Sequence, residues 1–228
     1  MNTGDTMIRP FKHLTGPVQR TKMGCPPEQL FFFLHGWGAD GENLLDIALS
    51  LSHDFPMAEF HLPNAPYPCE ANTQGYQWFS LSDESHETLL EQVEDVSDIV
   101  EHYIREKTEH AHINPKNVIL FGFSQGAMLA THLALTRPNL CGVVTAYSGK
   151  LVGVPAVTTD ERVPMILIHG DDDLVIPVEA MIESYHTLKE LGVPADAYRM
   201  AGLAHGINQS GLELGHRFIK EHLKLGEQ

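Results

Sequence analysis

One serine of the chain lies in a sequence context that would make it a nucleophile. Ser124 is the middle residue of a Gly-x-Ser-x-Gly pattern, between Gly122 and Gly126. An apolar run that begins after Pro115 precedes the pattern, and a stretch rich in small residues follows it and ends near Arg137. A buried strand, a sharp turn and a helix are therefore expected, which is the setting of a nucleophile elbow. Without that setting the pentapeptide is a weak signal, because it is common in loops.

The two glycines and the helix would each have a physical task in such a turn. Ser124 is expected in a strained backbone conformation, and β-carbons at positions 122 and 126 would collide with the tight turn. The serine would also stand at the N-terminus of the helix. There the unpaired N–H groups and the helix dipole favour developing negative charge.

A serine hydroxyl is a weak nucleophile, so a base and an acid are needed as its partners. A neutral imidazole accepts the proton of the serine, and a carboxylate orients that imidazole. In the strand–turn–helix setting the acid and then the histidine follow the serine along the chain. Of the histidines after the acidic cluster 171–173, only His205 occupies a glycine-flanked loop directly after a predicted strand. His205 is therefore the predicted base, whereas residue type alone does not rank Asp171, Asp172 and Asp173.

The negative oxygen of a tetrahedral intermediate needs hydrogen-bond donors, which form an oxyanion hole. The expected donors are the backbone N–H of Gln125 and one N–H from the loop after the first long strand, for which Trp37 is the candidate. The Trp37 indole is equally well explained as a packing aromatic. Both roles are compatible, because the oxyanion hole uses only the backbone of this residue.

The elements that must position these residues alternate between strand and helix. Strands are predicted at 30–34, 59–62, 117–121, 140–147, 165–168 and 195–200, and the clearest helix at 86–107. A further strand at 18–23 is predicted to pair with 30–34 as a hairpin, and 63–77 is predicted as a long proline-rich loop. The alternation predicts a mostly parallel sheet with helices on both faces. The loops that follow the strands would then meet at one edge, where ligands bind.

Size and composition limit the classes of protein and of partner. The 228 residues fit one domain, 1–228, with 1–16 as a ragged N-terminal lead-in. Hydrophobic residues make up 43%, enough for a sizeable core, and the formal charge of −15 argues against binding nucleic acid or anionic membranes. No signal-peptide core or membrane-length apolar run is present. The three cysteines (Cys25, Cys69 and Cys141) lack metal or disulfide spacing, so we expect a cytoplasmic location without stable membrane insertion.

Four ordered motifs make the chain similar to a known family. They are Phe33-Leu34-His35-Gly36-Trp37-Gly38-Ala39-Asp40, Gly122-Phe123-Ser124-Gln125-Gly126-Ala127-Met128, His169-Gly170-Asp171-Asp172-Asp173-Leu174-Val175-Ile176-Pro177 and Gly202-Leu203-Ala204-His205. With them the chain resembles the phospholipase/carboxylesterase family of small α/β-hydrolases, which includes the acyl-protein thioesterases. The resemblance extends from about residue 17 to the C-terminus. It implies a single-domain α/β-hydrolase fold, and the short connection between Tyr147 and Pro164 predicts that no lid domain is present.

The resemblance also assigns roles to individual residues. It implies Ser124 as nucleophile, His205 as base and Asp173 as the acid, with Trp37 and Gln125 as oxyanion donors. Two departures from the family pattern affect the acyl pocket. Leu174 stands where the family often has proline, and Gly206 replaces a small polar residue. We interpret His35 and His169, which belong to the motifs, as hydrogen-bonded scaffolding.

These residues together predict a serine carboxylesterase that hydrolyses short to medium acyl esters through an acyl-enzyme. The alternatives are a lysophospholipase, an acyl-protein thioesterase and, from another class, a non-catalytic binding protein of the same fold. Trp78 and Val175 are candidates for an apolar substrate groove, although core packing explains both equally well. The expected partner is a small-molecule or lipid-like acyl ester, with no metal and no organic cofactor. A homodimer is one hypothesis, since the sequence does not determine the oligomeric state.

Overall fold

Strands and helices alternate along the chain in a computed structural model, which describes residues 13–22, 24–82, 85–153 and 162–223. The strands are β1 (Val18–Gln19), β2 (Gln29–Leu34), β3 (Ala58–His61), β4 (Tyr67–Pro68), β5 (Tyr76–Gln77), β6 (Val118–Phe123), β7 (Val143–Tyr147), β8 (Met165–Gly170) and β9 (Ala195–Met200). The helices are α1 (Leu45–Leu51), α2 (His86–His110), α3 (Gln125–Thr136), α4 (Val178–Glu190) and α5 (Gln209–His222). Among these helices none is long and apolar enough to cross a lipid bilayer.

Within the described ranges, seven strands form one sheet in the order β1-β3-β2-β6-β7-β8-β9. Every neighbouring pair is parallel except β1 with β3. Every residue of β2, β7 and β8 is buried, as expected for parallel strands that are covered on both faces. The predicted mostly parallel sheet is confirmed.

The predicted hairpin between 18–23 and β2 is wrong. Val18 pairs with His61 and Gln19 with Phe60, so β1 lies antiparallel to β3. The reason is that both edges of β2 are already occupied by parallel partners, β3 on one side and β6 on the other. The free edge of β3 is the position left for β1.

Two hydrophobic layers cover the faces of the sheet. Side chains of α2, α3 and α4 pack on one face, and side chains of α1 and α5 pack on the other. Under α5 the rings of Phe33, Phe121 and Tyr147 stack across β2, β6 and β7, with centroid separations of 4.5 and 4.7 Å. These rings bury large apolar areas, and burial of apolar surface is the main favourable contribution to the free energy of folding.

The predicted long loop, 63–77, contains a small two-stranded sheet of its own. Tyr67 pairs with Gln77 and Pro68 with Tyr76, so β4 and β5 form an antiparallel hairpin. An isolated bridge between Ala39 and Tyr76 joins this hairpin to the loop after β2. The sequence did not reveal the hairpin, because strands of two residues show no periodicity.

The parallel strands bring their following loops to one edge of the sheet. The loops after β2, β6, β8 and β9 carry the residues with predicted chemistry, and they converge there. Two expectations lie wholly or partly outside the described residues. They are the lead-in at 1–16, of which 1–12 are not described, and the connection without a lid, which includes 154–161.

Candidate active site

Ser124 occupies the sharp turn between β6 and α3. Its backbone has φ 54° and ψ −117°, a strained conformation for a residue with a β-carbon. Such strain costs on the order of 1–3 kcal/mol and persists only where the surroundings impose it. Here the N–H of Ser124 donates to the carbonyl of Tyr147 at 2.9 Å, which ties the turn to the end of β7. The predicted strand–turn–helix setting is present.

The two glycines of the pattern permit close backbone approaches, as predicted at Gly122, whereas the obstacle at Gly126 differs from the predicted one. A β-carbon at Gly122 would lie 2.5 Å from the α-carbon of Ala127, inside the turn itself. A β-carbon at Gly126 would overlap the carbonyl oxygen of Leu34, at the end of β2. The second glycine therefore lets α3 pack directly against the neighbouring strand.

Ser124, His205 and Asp173 form one hydrogen-bonded chain. The Ser124 Oγ lies 3.0 Å from His205 Nε2, and His205 Nδ1 lies 2.7 Å from Asp173 Oδ2. Because Oδ2 of a carboxylate only accepts, Nδ1 carries the proton in this arrangement. Nε2 of the neutral ring then has a lone pair available for the serine hydroxyl. His205 retains 18% side-chain exposure, so the base is accessible from solvent.

Asp173 is a buried carboxylate that is surrounded by donors. Its Oδ1 accepts from the backbone N–H groups of Val175 and Ile176, at 2.8 and 2.9 Å. Burial acts to raise the pKa of Asp173. Hydrogen bonds from Ile176, His205 and Val175 outweigh the burial and hold the pKa below its usual value. The carboxylate therefore stays ionised opposite His205 at neutral pH.

The other two aspartates of the cluster face solvent. Both are exposed, and the Oδ1 of Asp171 accepts from the backbone N–H of Gly202 at 2.7 Å. The backbone N–H of Asp172 donates to the carbonyl of Leu203 at 3.0 Å. Within the cluster, Asp173 is the residue whose carboxylate contacts His205, while its neighbours join the two loops.

Sequence reasoning missed one residue beside the base. Ser148 is fully buried, has φ 49°, and its Oγ donates to the carbonyl of Gly206 at 3.1 Å. It therefore holds the loop that carries His205 from the side of β7. No residue pattern marks this serine, although it comes directly after the predicted strand 140–147.

The two motif histidines, predicted as scaffolding, are fully buried. His35 Nδ1 donates to the carbonyl of Gly36 at 2.8 Å, and its Nε2 accepts from the N–H of Ala65 at 3.0 Å. Burial lowers the pKa of His35 to about 4, so the ring is neutral at neutral pH. His169 Nε2 donates to the carbonyl of Ile176 at 2.8 Å and lies 3.0 Å from Asp173 Oδ2. His169 thus holds the far end of the loop that carries the carboxylate.

The predicted oxyanion donors belong to the helix after the serine and to the loop after β2. Gln125 is the first residue of α3, so its backbone N–H belongs to the helix-terminal donors that have no partner within the helix. The loop with Trp37 follows β2 and comes close to the serine at Gly36. A β-carbon added at Gly36 would lie 3.4 Å from the β-carbon of Ser124. Trp37 is 37% exposed.

The comparison with protein families decides to which family the chain belongs. The chain matches the sequence model of the phospholipase/carboxylesterase family over residues 21–223. The chain belongs to this family. The match spans the elbow and, after it, both loops of the acid–base pair, and it confirms the resemblance inferred from the four motifs.

Curated relatives from this family are similar over most of their length. The acyl-protein thioesterase 1 homolog 1 of Dictyostelium discoideum is 29% identical over 203 residues, which cover 84% of this chain and 89% of the relative. Carboxylesterase SOBER1 of Arabidopsis thaliana is 28% identical over 211 residues, covering 84% and 90%. The family is thus a hydrolase family with both esterases and a thioesterase among the relatives of this chain.

A solved structure from an esterase shares the whole architecture. The crystal structure of esterase PE8 is similar with a TM-score of 0.86 and 32% identity, covering 92% of this chain and 99% of that chain. Together with the sheet order, this likeness confirms the predicted single-domain α/β-hydrolase fold.

The two candidates for a substrate groove occupy contrasting positions in this hydrolase. Trp78 is fully buried, and its indole N–H donates to the carbonyl of His35 at 2.9 Å. Val175 is 68% exposed and Leu174 is 96% exposed, directly after Asp173. A substrate contact for Trp78 or Val175 stays a prediction. Leu174 and Val175 leave apolar surface beside the acid.

Proposed function

We propose that this chain is a serine carboxylesterase that hydrolyses short to medium acyl esters through an acyl-enzyme. The observation that carries the proposal is the unbroken contact from the Ser124 hydroxyl through His205 to the ionised Asp173. With its proton on Nδ1, facing Asp173, the His205 ring leaves Nε2 free to accept the proton of the serine hydroxyl. The elbow adds a helix N-terminus next to the nucleophile.

In the proposed reaction the Ser124 oxygen attacks the acyl carbon of the ester. His205 Nε2 takes the hydroxyl proton as the new C–O bond forms, and the electron pair of the carbonyl moves to its oxygen. The backbone N–H groups of Trp37 and Gln125 donate to that oxyanion. When the bond to the alcohol breaks, His205 returns the proton to the leaving oxygen. Water then attacks the acyl-enzyme by the same steps and regenerates Ser124.

The acyl group is proposed to lie near the exposed side chains of Leu174 and Val175. Apolar surface at this position favours a hydrocarbon chain over a charged substituent. Lysophospholipids and acyl-protein thioesters also present acyl chains, so lysophospholipase and thioesterase activities are the alternatives within the same mechanism. A series of nitrophenyl esters of increasing chain length, assayed beside one thioester and one lysophospholipid, separates the three.

Covalent labelling tests the nucleophile directly. A fluorophosphonate is expected to attach to Ser124, because its phosphorus accepts the activated hydroxyl and fluoride leaves. Peptide mapping should place the adduct on residue 124, and Ser124→Ala should stay folded, fail to label and lose almost all turnover. A wild-type chain that neither labels nor hydrolyses any ester would support the non-catalytic binding protein. An adduct on another residue would overturn the assignment of the nucleophile.

For the setting of the enzyme we propose a cytoplasmic location and, as a hypothesis, a homodimer. The location rests on the three cysteines, whose spacing fits neither a disulfide framework nor a metal site. Sedimentation of the purified chain at several concentrations measures the oligomeric state. The proposed chemistry uses residues of one chain only.

A further inference from the structure

A stretch that begins with β4 and ends just after β5 contacts both residues of the proposed oxyanion hole. We call residues 67–79 the hairpin segment. It begins with β4, turns back through β5 and ends at Trp78 and Phe79, which are fully buried. Sequence reasoning treated most of it as a loop, and the proposed reaction gives it no task.

On one side the hairpin segment holds the loop of Trp37. The N–H of Gly38 donates to the carbonyl of Tyr76 at 2.9 Å, and the N–H of Tyr76 donates to the carbonyl of Ala39 at 2.8 Å. The Trp37 indole N–H donates to Gln77 Oε1 at 3.0 Å. Three hydrogen bonds therefore tie residues 37–39 to two consecutive residues of β5.

On the other side the hairpin segment is held by the side chain of Gln125. Gln125 Oε1 accepts from the backbone N–H of Trp78 at 2.8 Å, and Gln125 Nε2 donates to the carbonyl of Phe79 at 2.7 Å. The amide is 1% exposed, and both of its ends are paired with backbone. The residue whose N–H is a proposed oxyanion donor is thus fixed by its own side chain to the segment that holds the other donor.

Space filling alone does not account for these contacts. A buried amide is costly unless all of its groups are paired, whereas an apolar side chain would fill the same volume at no such cost. Gln77 and Trp78 are neighbours in sequence, and through them the two donor residues are joined by short, directional bonds. Hydrogen bonds of this kind fix the distance between Trp37 and Gln125 more narrowly than apolar contacts, which have no preferred direction, would.

We propose that the hairpin segment is the template that sets the spacing of the two oxyanion donors, with Gln77 and the Gln125 side chain as positioning residues. The inference rests on the proposed function, because it assigns a task only if the N–H groups of Trp37 and Gln125 stabilise an oxyanion. Positioning matters there, since the donors must lie about 2.7–3.1 Å from where the oxyanion forms.

Methionine variants remove the bridge while keeping the side-chain length. Gln125→Met and Gln77→Met should each lower kcat by about tenfold or more, since losing one donor outright costs about 10²- to 10³-fold. KM for the same ester should stay within about twofold, because the ground-state ester makes weaker use of the hole. Gln92→Met is the matched control: Gln92 Oε1 accepts from the N–H of Ser80 at 2.7 Å, just beyond the hairpin segment.

A transition-state analogue gives a readout that a merely structural role would not change. A trifluoromethyl ketone accepts Ser124 Oγ at its carbonyl carbon, the proton passes to His205, and the resulting oxyanion occupies the hole. Its inhibition constant should weaken in Gln125→Met and Gln77→Met by the same factor as kcat/KM, and stay unchanged in Gln92→Met. Thermal unfolding of all three variants measures the loss of stability separately.

Two outcomes distinguish the failure of this inference from failure of the proposed function. If Gln125→Met and Gln77→Met lose stability as Gln92→Met does but keep kcat and analogue affinity, the bridge is only structural and the inference is overturned. If Gln125→Met does not fold, Gln77→Met decides by the same criteria. A wild-type chain that fails to label at Ser124 and binds no analogue would overturn the proposed function instead.

Discussion

The two sides of Ser124 are built on different principles. On the acid–base side, side chains face the serine: His205 and Asp173 come from loops after β9 and β8 and contact each other directly. On the oxyanion side, the proposed donors are backbone N–H groups. The uncharged side chains of Gln77 and Gln125 form hydrogen bonds that position the residues carrying these donors. The first side depends on residue identity at the site itself. The second depends on partners in the hairpin segment, up to 47 positions away in the sequence.

The difference is also electrostatic. The acid–base side contains a buried carboxylate, whose pKa is held down by donors from Ile176, His205 and Val175 despite burial. The oxyanion side contains a buried imidazole, His35, which burial keeps neutral with a pKa of about 4. Acidification is therefore expected to lower the stability of the two sides in different pH ranges. Mutations on the two sides are expected to lower activity by different factors.

The largest expected effect comes from a substitution that removes the carboxylate of the acid–base side while keeping the shape of the side chain. Asp173→Asn should lower turnover by up to about 10⁴-fold, because an amide at this position favours the wrong tautomer of His205. Asp171→Asn and Asp172→Asn should stay within about tenfold, since these exposed residues do not contact the base.

Steady-state turnover of one good ester measures this comparison, with circular dichroism to verify that each variant is folded. The two neighbouring variants are the controls, because they carry the same chemical change within two positions. A crippled Asp172→Asn beside an active Asp173→Asn would place the acid one residue earlier than the contacts indicate.

An intermediate effect tests the oxyanion side through stability in acid. The folded pKa of His35 is about 4 against an ordinary value of 6.5, so the unfolded chain takes up this proton first as the pH falls. His35 should therefore cost the folded state up to about 3 kcal/mol between pH 6.5 and pH 4. Asp173 acts in the same direction but at lower pH: its pKa is also depressed, so the stability that it contributes above its ordinary pKa is lost as the pH falls below that pKa.

Urea unfolding at pH 7, 6 and 5 measures the loss in the wild type and in His35→Gln. The variant should be less stable at pH 7, because it alters the contacts with Gly36 and Ala65. It should also lose less stability per pH unit than the wild type. Since burial also lowers the pKa values of His132 and His216, the difference between the two slopes, rather than either slope, reports on His35. Equal slopes would contradict the assignment of a buried neutral His35.

The same contrast explains how far the sequence predicted the molecule. The parallel sheet could be predicted because strands buried on both faces are continuous apolar runs, whereas amphipathic helices repeat their apolar residues every 3.6 positions. The acid–base side could be predicted because His205 and the aspartates are chemically distinctive, although residue type did not rank Asp171, Asp172 and Asp173. What separates them is burial and a contact between loops after different strands.

The rest was not predictable from local pattern. The pairing of β1 depends on which sheet edge remains free, which is a property of the whole topology. The partners of Gln125 are backbone groups of Trp78 and Phe79, and any residue types at those positions would present the same N–H and carbonyl. A buried glutamine has no periodicity that marks it as a bridge. Such contacts are visible only after folding brings distant segments together.

The smallest expected effect concerns the exposed rim next to the acid. Val175 is 68% exposed, and only its backbone N–H contacts Asp173, so Val175→Ser should leave the acid–base pair intact. If acyl chains lie on this side chain, kcat/KM for a long-chain ester should fall by a few-fold while that for an acetate ester stays unchanged. One buried methylene contributes about 0.8 kcal/mol, which corresponds to roughly fourfold in rate.

Val18→Ser is the matched control, because Val18 is also exposed, at 42%, but lies on β1 at the far edge of the sheet. Equal losses for acetate and long-chain esters would show that Val175 shapes the loop rather than the acyl site, and no loss for either would remove it from the substrate groove.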